Sequence, residues 1–373
     1  MKKVLILSCN TGEGHNSAAG AIGVELKKQG VEFEIADPVG FRSERAKTFV
    51  SSSYNSVIKN VPKVFSAIYK IGEVYSNVRL PSPIYYANSL YAENLMTYII
   101  EQKFNCIICT HLFAMEALTA IRKKWSLTVP CYGVLTDYTC IPFFNETVLD
   151  GYFIPHEDLR EEMIRKKLPT ERIYATGIPV DKKFNIKMSK SEARNYLTIP
   201  QDKQVLLLMG GGVGCGNMLE LCKELLKQDD NCIAYVLVGR NSELIDKLEK
   251  AYRGSKRIYP IMFTEKVNVY MKAADVMISK AGGLSSTEAA VANIPLIQLL
   301  VYTACEEKNV EFFTAHGMSE KTENAKDAVR LALELIHEKE KANKMIECQR
   351  NTINPNAAEA IVNIVNNCNE AAV

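Results

Sequence analysis

The chain has 373 residues, 47% of them hydrophobic and 24% charged, the profile of a soluble globular protein longer than one compact domain usually holds. A formal net charge of +2 gives no global field of the kind that nucleic-acid partners call for. No apolar run approaches the roughly 20 residues of a membrane-spanning helix, so any attraction to a membrane must be local.

The eleven cysteines lack the spacing of a disulfide framework, and the chain starts directly on a strand without a signal peptide, which points to a reducing cytoplasm. Val4 to Ser8 is a short apolar run that reads as a central parallel strand, followed by a loop holding Gly12, Gly14 and His15 and a helix to about Gln29. Gly12-Glu-Gly14 resembles the opening of a dinucleotide fingerprint. The third glycine position holds Ser17, however, and Asp37 as the distal acid proves little. Val31 to Ala36 is a second strand.

Between about Phe41 and Glu101 the pattern changes. Val57, Val61, Val64, Phe65, Ile68, Tyr69 and Tyr75 recur at roughly helical spacing, with Lys59, Lys63 and Lys70 among them and Pro62 interrupting. An amphipathic insert packed on its own domain and an interfacial membrane face fit this pattern about equally. Alternation of strand and helix then resumes with Asn105 to Thr110, a helix from Phe113 to Lys124, Cys131 to Thr136, Gly151 to Ile154 and Ile173 to Ala175. Cys106 and Cys109 form a C-x-x-C, but strand alternation sends their thiols to opposite faces, as suits core cysteines. Thr176-Gly-Ile-Pro-Val-Asp181 reads as a hinge.

Gln204 to Met209 is another apolar strand, running into a loop from Gly210 to Gly216 and a helix from Asn217 to Lys227. This repeats the unit that opens the chain. The loop has no Lys-Ser or Lys-Thr after its glycines, so it is not a Walker motif, and a mobile turn explains it as well as a ligand contact does. Strands at Cys232 to Val238, Ile258 to Ile261, Val276 to Ser279 and Ile294 to Leu299 follow, with helices between them. Two Rossmann-like halves are expected. The terminal helices take caps at Thr322 and Asn356.

Ser279-Lys-Ala-Gly-Gly-Leu-Ser-Ser-Thr-Glu288 joins a buried strand to a helix through a small-residue turn. Gly282 and Gly283 allow close approach to the backbone, the first N–H groups of the helix favour a phosphate, and Ser285, Ser286 and Thr287 add hydroxyls. Glu288, in the first helical turns, suits a ribose diol. Alone, the stretch fits an ordinary N-cap better. His15 stands at the carboxyl end of the first strand, where ligands collect in open α/β sheets, and an imidazole there suits general-base chemistry. Asp137, at the end of another strand, suits orienting His15 or acting as the base itself; its ordinary reading is a turn cap. His111 has a similar position with less to recommend it. Glu306 and Asn309 suit sugar hydroxyls, although a solvated helix start explains them too. No D-x-D and no His/Cys cluster occurs, so no metal is expected.

Taken together, Gly14-His-Asn-Ser-Ala-Ala, Thr136-Asp-Tyr, Thr176-Gly-Ile-Pro-Val, Gly282-Gly-Leu-Ser-Ser-Thr-Glu and Glu306-Glu-Lys-Asn309 resemble the monogalactosyldiacylglycerol synthase and processive diacylglycerol glucosyltransferase group of the family 28 glycosyltransferases. The resemblance covers nearly the whole chain in matching order. It implies an α/β GT-B fold, two Rossmann-like domains with a cleft between them. Residues 1–181 would bind the acceptor and carry the insert at about 41–101, 182–354 would bind the UDP-sugar, and 355–373 would form a helix crossing back. It also implies a diphosphate loop at Gly282, Gly283, Leu284, Ser285, Ser286 and Thr287, ribose on Glu288, and the donor sugar on Glu306 and Asn309. The uracil would be held near Phe263 and Thr264, and Gly14, Gly211 and Gly212 belong to the donor-binding set. His15, with Asp137, is the base candidate.

Three positions depart from the family pattern: Ile141 and Phe144 stand where members often carry His and Trp, and Cys305 where Gln is usual. The expected activity is inverting transfer of a hexose from a UDP-sugar, used as co-substrate without a cofactor, to diacylglycerol or a related lipid. The expected location is cytoplasmic, peripheral to the inner, anionic face of the membrane. A UDP-sugar epimerase or hydrolase of the same fold, and a nucleotide-sugar sensor without turnover, are the alternatives.

Overall fold

The computed structural model describes residues 2–10, 13–43, 45, 48, 72, 81–211, 217–228, 231–300 and 304–371. Val57, Lys59, Val61, Pro62, Lys63, Val64, Phe65, Ile68, Tyr69, Lys70 and Tyr75, which carry the amphipathic pattern of the insert, lie outside the described residues, as does Gly212. The chain divides into two compact units, residues 1–181 with 354–373, and 182–353.

The first unit is built on six parallel strands: β1 (Lys3–Leu7), β2 (Glu32–Ala36), β3 (Cys106–Cys109), β4 (Cys131–Val134), β5 (Gly151–Ile154) and β6 (Ile173–Ala175). Their order is β2-β1-β3-β4-β5-β6, with Val4 in register with Phe33 on one side and Cys106 on the other. Val4, Leu5, Ile6 and Leu7 are all fully buried. A strand covered on both faces needs such a continuous apolar run rather than alternation, and each of these side chains contributes roughly 1.5 to 3 kcal/mol by leaving water. Cys106 and Cys109 are buried free thiols.

Helix Ala357–Ala371 closes this unit. Ile361, Val362 and Val365 join Val4, Ile6 and Ile22 in one core, and Asn366 Nδ2 donates to Gln29 Oε1 at 3.0 Å. The Thr176 to Pro179 turn receives the start of that helix: Asn354 Nδ2 donates to the Thr176 carbonyl at 2.8 Å. Gly177 adopts φ +99°, and an added Cβ there would stand 3.1 Å from the Ala357 Cβ, so the position needs glycine twice over.

Helices Pro83–Ser89 and Ala92–Glu101, inside the expected insert, pack on helix Leu112–Trp125. Beneath them Glu116 is wholly buried. Burial first, then the hydrogen bond and charge of Glu146, push its carboxyl up to about 10 against the pull of Lys123. Glu146 itself accepts from the Ser82 N–H at 2.8 Å, and Ser82 caps the Pro83–Ser89 helix. At neutral pH Glu116 is therefore an acid whose O–H donates to Glu146.

A folded-state value above the unfolded one makes stability greatest below the unfolded carboxyl range near 4.3 and lets it fall as pH rises toward 10. At pH 7 the loss is on the order of 3 kcal/mol. Glu116→Gln keeps a donor and cannot titrate, so its stability in urea should gain on the wild type steadily from pH 5 to 9. Parallel pH profiles would contradict a protonated Glu116.

The second unit holds β7 (Gln204–Met209), β8 (Cys232–Leu237), β9 (Ile258–Ile261), β10 (Val276–Lys280), β11 (Leu296–Leu299) and β12 (Glu320–Thr322). All pairs are parallel, in the order β12-β11-β10-β7-β8-β9. Counted within the unit this is 3-2-1-4-5-6 read from the β9 edge, the Rossmann order, and its switch point lies between β7 and β10. The core runs from Leu206 and Leu208 through Val236 and Ile278 to Val329 and Leu335.

The expected cap at Thr322 is displaced by two residues. Thr322 ends β12, and Asn324 caps helix Ala325–His337 by accepting from the Asp327 N–H at 2.9 Å. Among the described residues no helix is long and apolar enough to cross a membrane.

Candidate active site

In the first unit the strand order reverses between β1 and β3, so side chains at the carboxyl ends of these strands face a common crevice. Helix Glu13–Lys28 starts there and carries Gly14 and His15 in its first turn. The loop after β1 is fixed by a polar chain. Ser8 Oγ donates to Asn16 Oδ1 at 2.7 Å, Asn16 Nδ2 to Asn10 Oδ1 at 2.7 Å, and the Asn10 N–H to Asp37 Oδ2 at 3.2 Å. Asp37, the distal acid of the partial dinucleotide pattern, thus anchors this loop, and its other oxygen accepts from the Val39 N–H at 3.0 Å.

Two threonines at strand ends hold His15. Thr110, just past β3, donates its hydroxyl to the His15 carbonyl at 3.1 Å. Its own carbonyl lies 2.7 Å from His15 Nδ1, and Thr136 Oγ1, just past β4, lies 3.1 Å from the same nitrogen. A carbonyl only accepts, so Nδ1 carries the proton and Nε2 keeps the lone pair. Burial lowers the His15 pKa, while the charge of Asp137 and the Thr110 carbonyl pull it upward. Asp137 thus acts on the imidazole through its charge.

His111 packs edge-on against His15, ring centroids 4.5 Å apart at 87°. Its Nδ1 accepts from the Phe113 N–H at 3.2 Å, capping helix Leu112–Trp125. Burial and the neighbouring His15 depress its pKa well below the usual range. Both imidazoles are therefore neutral bases at physiological pH.

In the second unit the loops after β7 and β10 flank the switch point. Gly211 adopts φ +71°, and an added Cβ would lie 2.8 Å from Lys280 Cε, so the two loops touch through the lysine stem. Helix Gly283–Ala292 has Gly282 at its N-cap and no side-chain cap. The N–H groups of Gly283, Leu284 and Ser285 have no acceptor within the helix. Of the ten residues of this helix all but Ser285 and Glu288 are buried. Positions three apart share a helical face, so Gly282, Ser285 and Glu288 form its one open stripe.

Ser286 and Thr287 are turned inward. Ser286 Oγ accepts from Gln298 Nε2 at 2.8 Å, Gln298 Oε1 accepts from Ser319 at 2.7 Å, and Thr287 Oγ1 donates to the Gly283 carbonyl at 2.7 Å. Asn309 is fully buried and donates to the Ala281 carbonyl at 3.0 Å, pinning the loop after β10. Glu306, 7% exposed, accepts from Lys280 Nζ at 2.8 Å through Oε1, and its Oε2 is buried without a partner. Past β9, Phe263 is 51% exposed beneath the Arg240 guanidinium, 4.4 Å from its ring centroid. Thr264 Oγ1 accepts from the Lys266 N–H at 3.1 Å.

Sequence reasoning passed over Lys280, Thr110 and Arg240 as functional groups. For Lys280 a signal existed, a cation at the last position of a strand that feeds a glycine turn.

Two parallel sheets with loops of this kind at their switch points define the GT-B class. A solved structure of Acinetobacter baumannii MurG superposes with a TM-score of 0.65 at 16% identity, over 98% of this chain and 100% of that one. UDP-GlcNAc 2-epimerase from Neisseria meningitidis, bound to UDP-GlcNAc, superposes with a TM-score of 0.62 at 17% identity, over 98% and 99%. The chain has this two-domain α/β fold.

Residues 15–180 match the monogalactosyldiacylglycerol (MGDG) synthase family and residues 190–352 the glycosyl transferases group 1 family. The processive diacylglycerol beta-glucosyltransferase of Bacillus cytotoxicus is 26% identical over 97% of this chain and 93% of its own length. That of Bacillus pumilus is 24% identical over 92% and 89%. These two matches and relatives make the chain a glycosyltransferase, similar along nearly its whole length to the processive diacylglycerol beta-glucosyltransferases.

Proposed function

We propose that the protein transfers a hexose, with inversion, from a UDP-sugar to the hydroxyl of diacylglycerol or a related lipid at the inner face of the cytoplasmic membrane. In this reading residues 1–181 with the terminal helix handle the acceptor, and 182–354 hold the donor. The observation that carries it is the tautomer of His15: with Nδ1–H committed to the Thr110 carbonyl, Nε2 presents a lone pair at a switch point. As the acceptor oxygen bonds to the anomeric carbon, its proton passes to Nε2 and the bond from that carbon to the diphosphate oxygen breaks. UDP leaves with the electron pair. Asp137 stabilises the imidazolium that forms.

The leaving diphosphate is received by the N–H groups of Gly283, Leu284 and Ser285 and by the Ser285 hydroxyl, with Gly211 and Gly282 permitting close approach; Gly14 and Gly212 are the further members of the proposed donor-binding set. A macrodipole contact supplies about 0.3 to 2 kcal/mol, so the N–H donors must act together. Ser286 and Thr287 complete the diphosphate loop, Glu288 takes the ribose diol, Phe263 and Thr264 flank the uracil, and Glu306 and Asn309 contact the sugar. Association with an anionic membrane surface would draw on the 41–101 segment, each lysine adding about 1 kcal/mol. Vesicle co-sedimentation after Lys59, Lys63 and Lys70 are neutralised should fall; unchanged sedimentation would count against these lysines.

The test of the reading is incubation of purified protein with UDP-glucose, UDP-galactose and UDP-N-acetylglucosamine, with and without diacylglycerol vesicles. Glycolipid that forms only with vesicles is expected. Donor consumed equally without lipid would make the protein an epimerase or hydrolase, and donor bound but not consumed would make it a sensor.

A further inference from the structure

The expected anion site of the second unit rests on glycines and helix N–H groups, yet the structure adds a cation. Lys280, the last residue of β10, runs its stem between the two loops of the switch point. An added Cβ on Gly211 would meet its Cε at 2.8 Å, and one on Gly282 would lie 4.0 Å from its Nζ. The ammonium therefore stands beside the N-cap of a helix whose first turn has no side-chain cap.

Its partner is Glu306, 2.8 Å away, with the two side chains 24% and 10% exposed. A pair this far from water costs desolvation that its mutual attraction barely repays. Here the cost is raised by Glu306 Oε2, which is buried with no partner of its own. One carboxylate oxygen is thus held by the lysine while the other waits for a hydrogen-bond donor.

We propose that Lys280 is a donor-binding residue that exchanges partners: its ammonium moves from Glu306 onto the diphosphate of the incoming UDP-sugar, and both Glu306 oxygens then accept from hydroxyls of the sugar. This rests on the UDP-sugar reading of the site and deepens it. A diphosphate carries more negative charge than one carboxylate and is already courted by the helix N–H groups, so it outcompetes Glu306 for the ammonium. Without the lysine between them, Glu306 and the diphosphate would repel each other. The exchange also makes sugar recognition depend on an intact diphosphate, because Glu306 is released only when the lysine has left it.

Calorimetry with UDP, UDP-glucose and uridine on the wild type, Lys280→Met and Glu306→Gln tests this. Lys280→Met should bind UDP at least tenfold more weakly and uridine as the wild type does. Glu306→Gln, which frees the ammonium, should bind UDP more tightly than the wild type while losing whatever advantage UDP-glucose has over UDP. The proposal is overturned if Lys280→Met binds UDP normally, if it loses uridine and UDP equally, or if Glu306→Gln weakens UDP. A wild type that binds no UDP at all would instead overturn the donor reading on which the proposal rests.

Discussion

Replacing His15 with alanine should lower the rate of hexose transfer about a thousandfold while leaving the affinity for UDP within a factor of two. Loss of a positioned general base typically costs about 10²- to 10⁴-fold, and this histidine is held in place by two strand-end threonines. Thr110 holds both its carbonyl and its Nδ1–H, and Thr136 adds a second acceptor. The UDP affinity should survive because the proposed diphosphate loop, at the end of β10, belongs to the other unit.

The pH dependence has a definite sign. Burial lowers the pKa of His15 more than Asp137 and the Thr110 carbonyl restore it. The basic form therefore persists below the ordinary imidazole value near 6.5. The acid limb of kcat/KM should lie below that value in the wild type and vanish from the residual activity of His15→Ala. Near-normal turnover in the variant would remove His15 as the base.

Glu288→Ala should give the complementary result, UDP bound about 10- to 100-fold more weakly. One or two hydrogen bonds to a carboxylate contribute roughly 1.5 to 3 kcal/mol each, and Glu288 shares the open stripe of its helix with Ser285. Unchanged UDP affinity would take the ribose away from Glu288. The two variants together separate the steps: one loses chemistry with binding intact, and the other loses binding first.

Much of this was legible in the sequence because both switch points follow apolar strands. Val4 to Leu7 and Val276 to Ile278 are buried on both faces, so they appear as unbroken apolar runs, and the glycines and His15 stand out just beyond them. The stretch from Gly282 to Glu288 announced a helix start, since small residues leave few other readings.

What the sequence could not convey was which side of that helix faces out. Ser285, Ser286 and Thr287 look equivalent in one dimension, but a rotation of about 100° per residue sends Ser286 to Gln298 and Thr287 back to the Gly283 carbonyl. The grip on His15 was hidden for another reason. Thr110 and Thr136 lie 95 and 121 residues away from it, and only the strand order brings their strand ends together. Asn309 reads as a sugar contact because amides suit hydroxyls, and nothing in one dimension shows that its Nδ2 also donates to the Ala281 carbonyl. The cap falls on Asn324 rather than Thr322 because the three-residue strand Glu320–Thr322, too short to show a pattern in the sequence, takes the threonine.

The central claim is that UDP release and lipid glycosylation are one event. The most direct measurement is the stoichiometry of UDP released to glycosyl-diacylglycerol formed when the purified protein meets its UDP-sugar and diacylglycerol vesicles. A ratio of one to one for the first hexose added, with negligible UDP before vesicles are supplied, is the predicted result; UDP released steadily without glycolipid would contradict it.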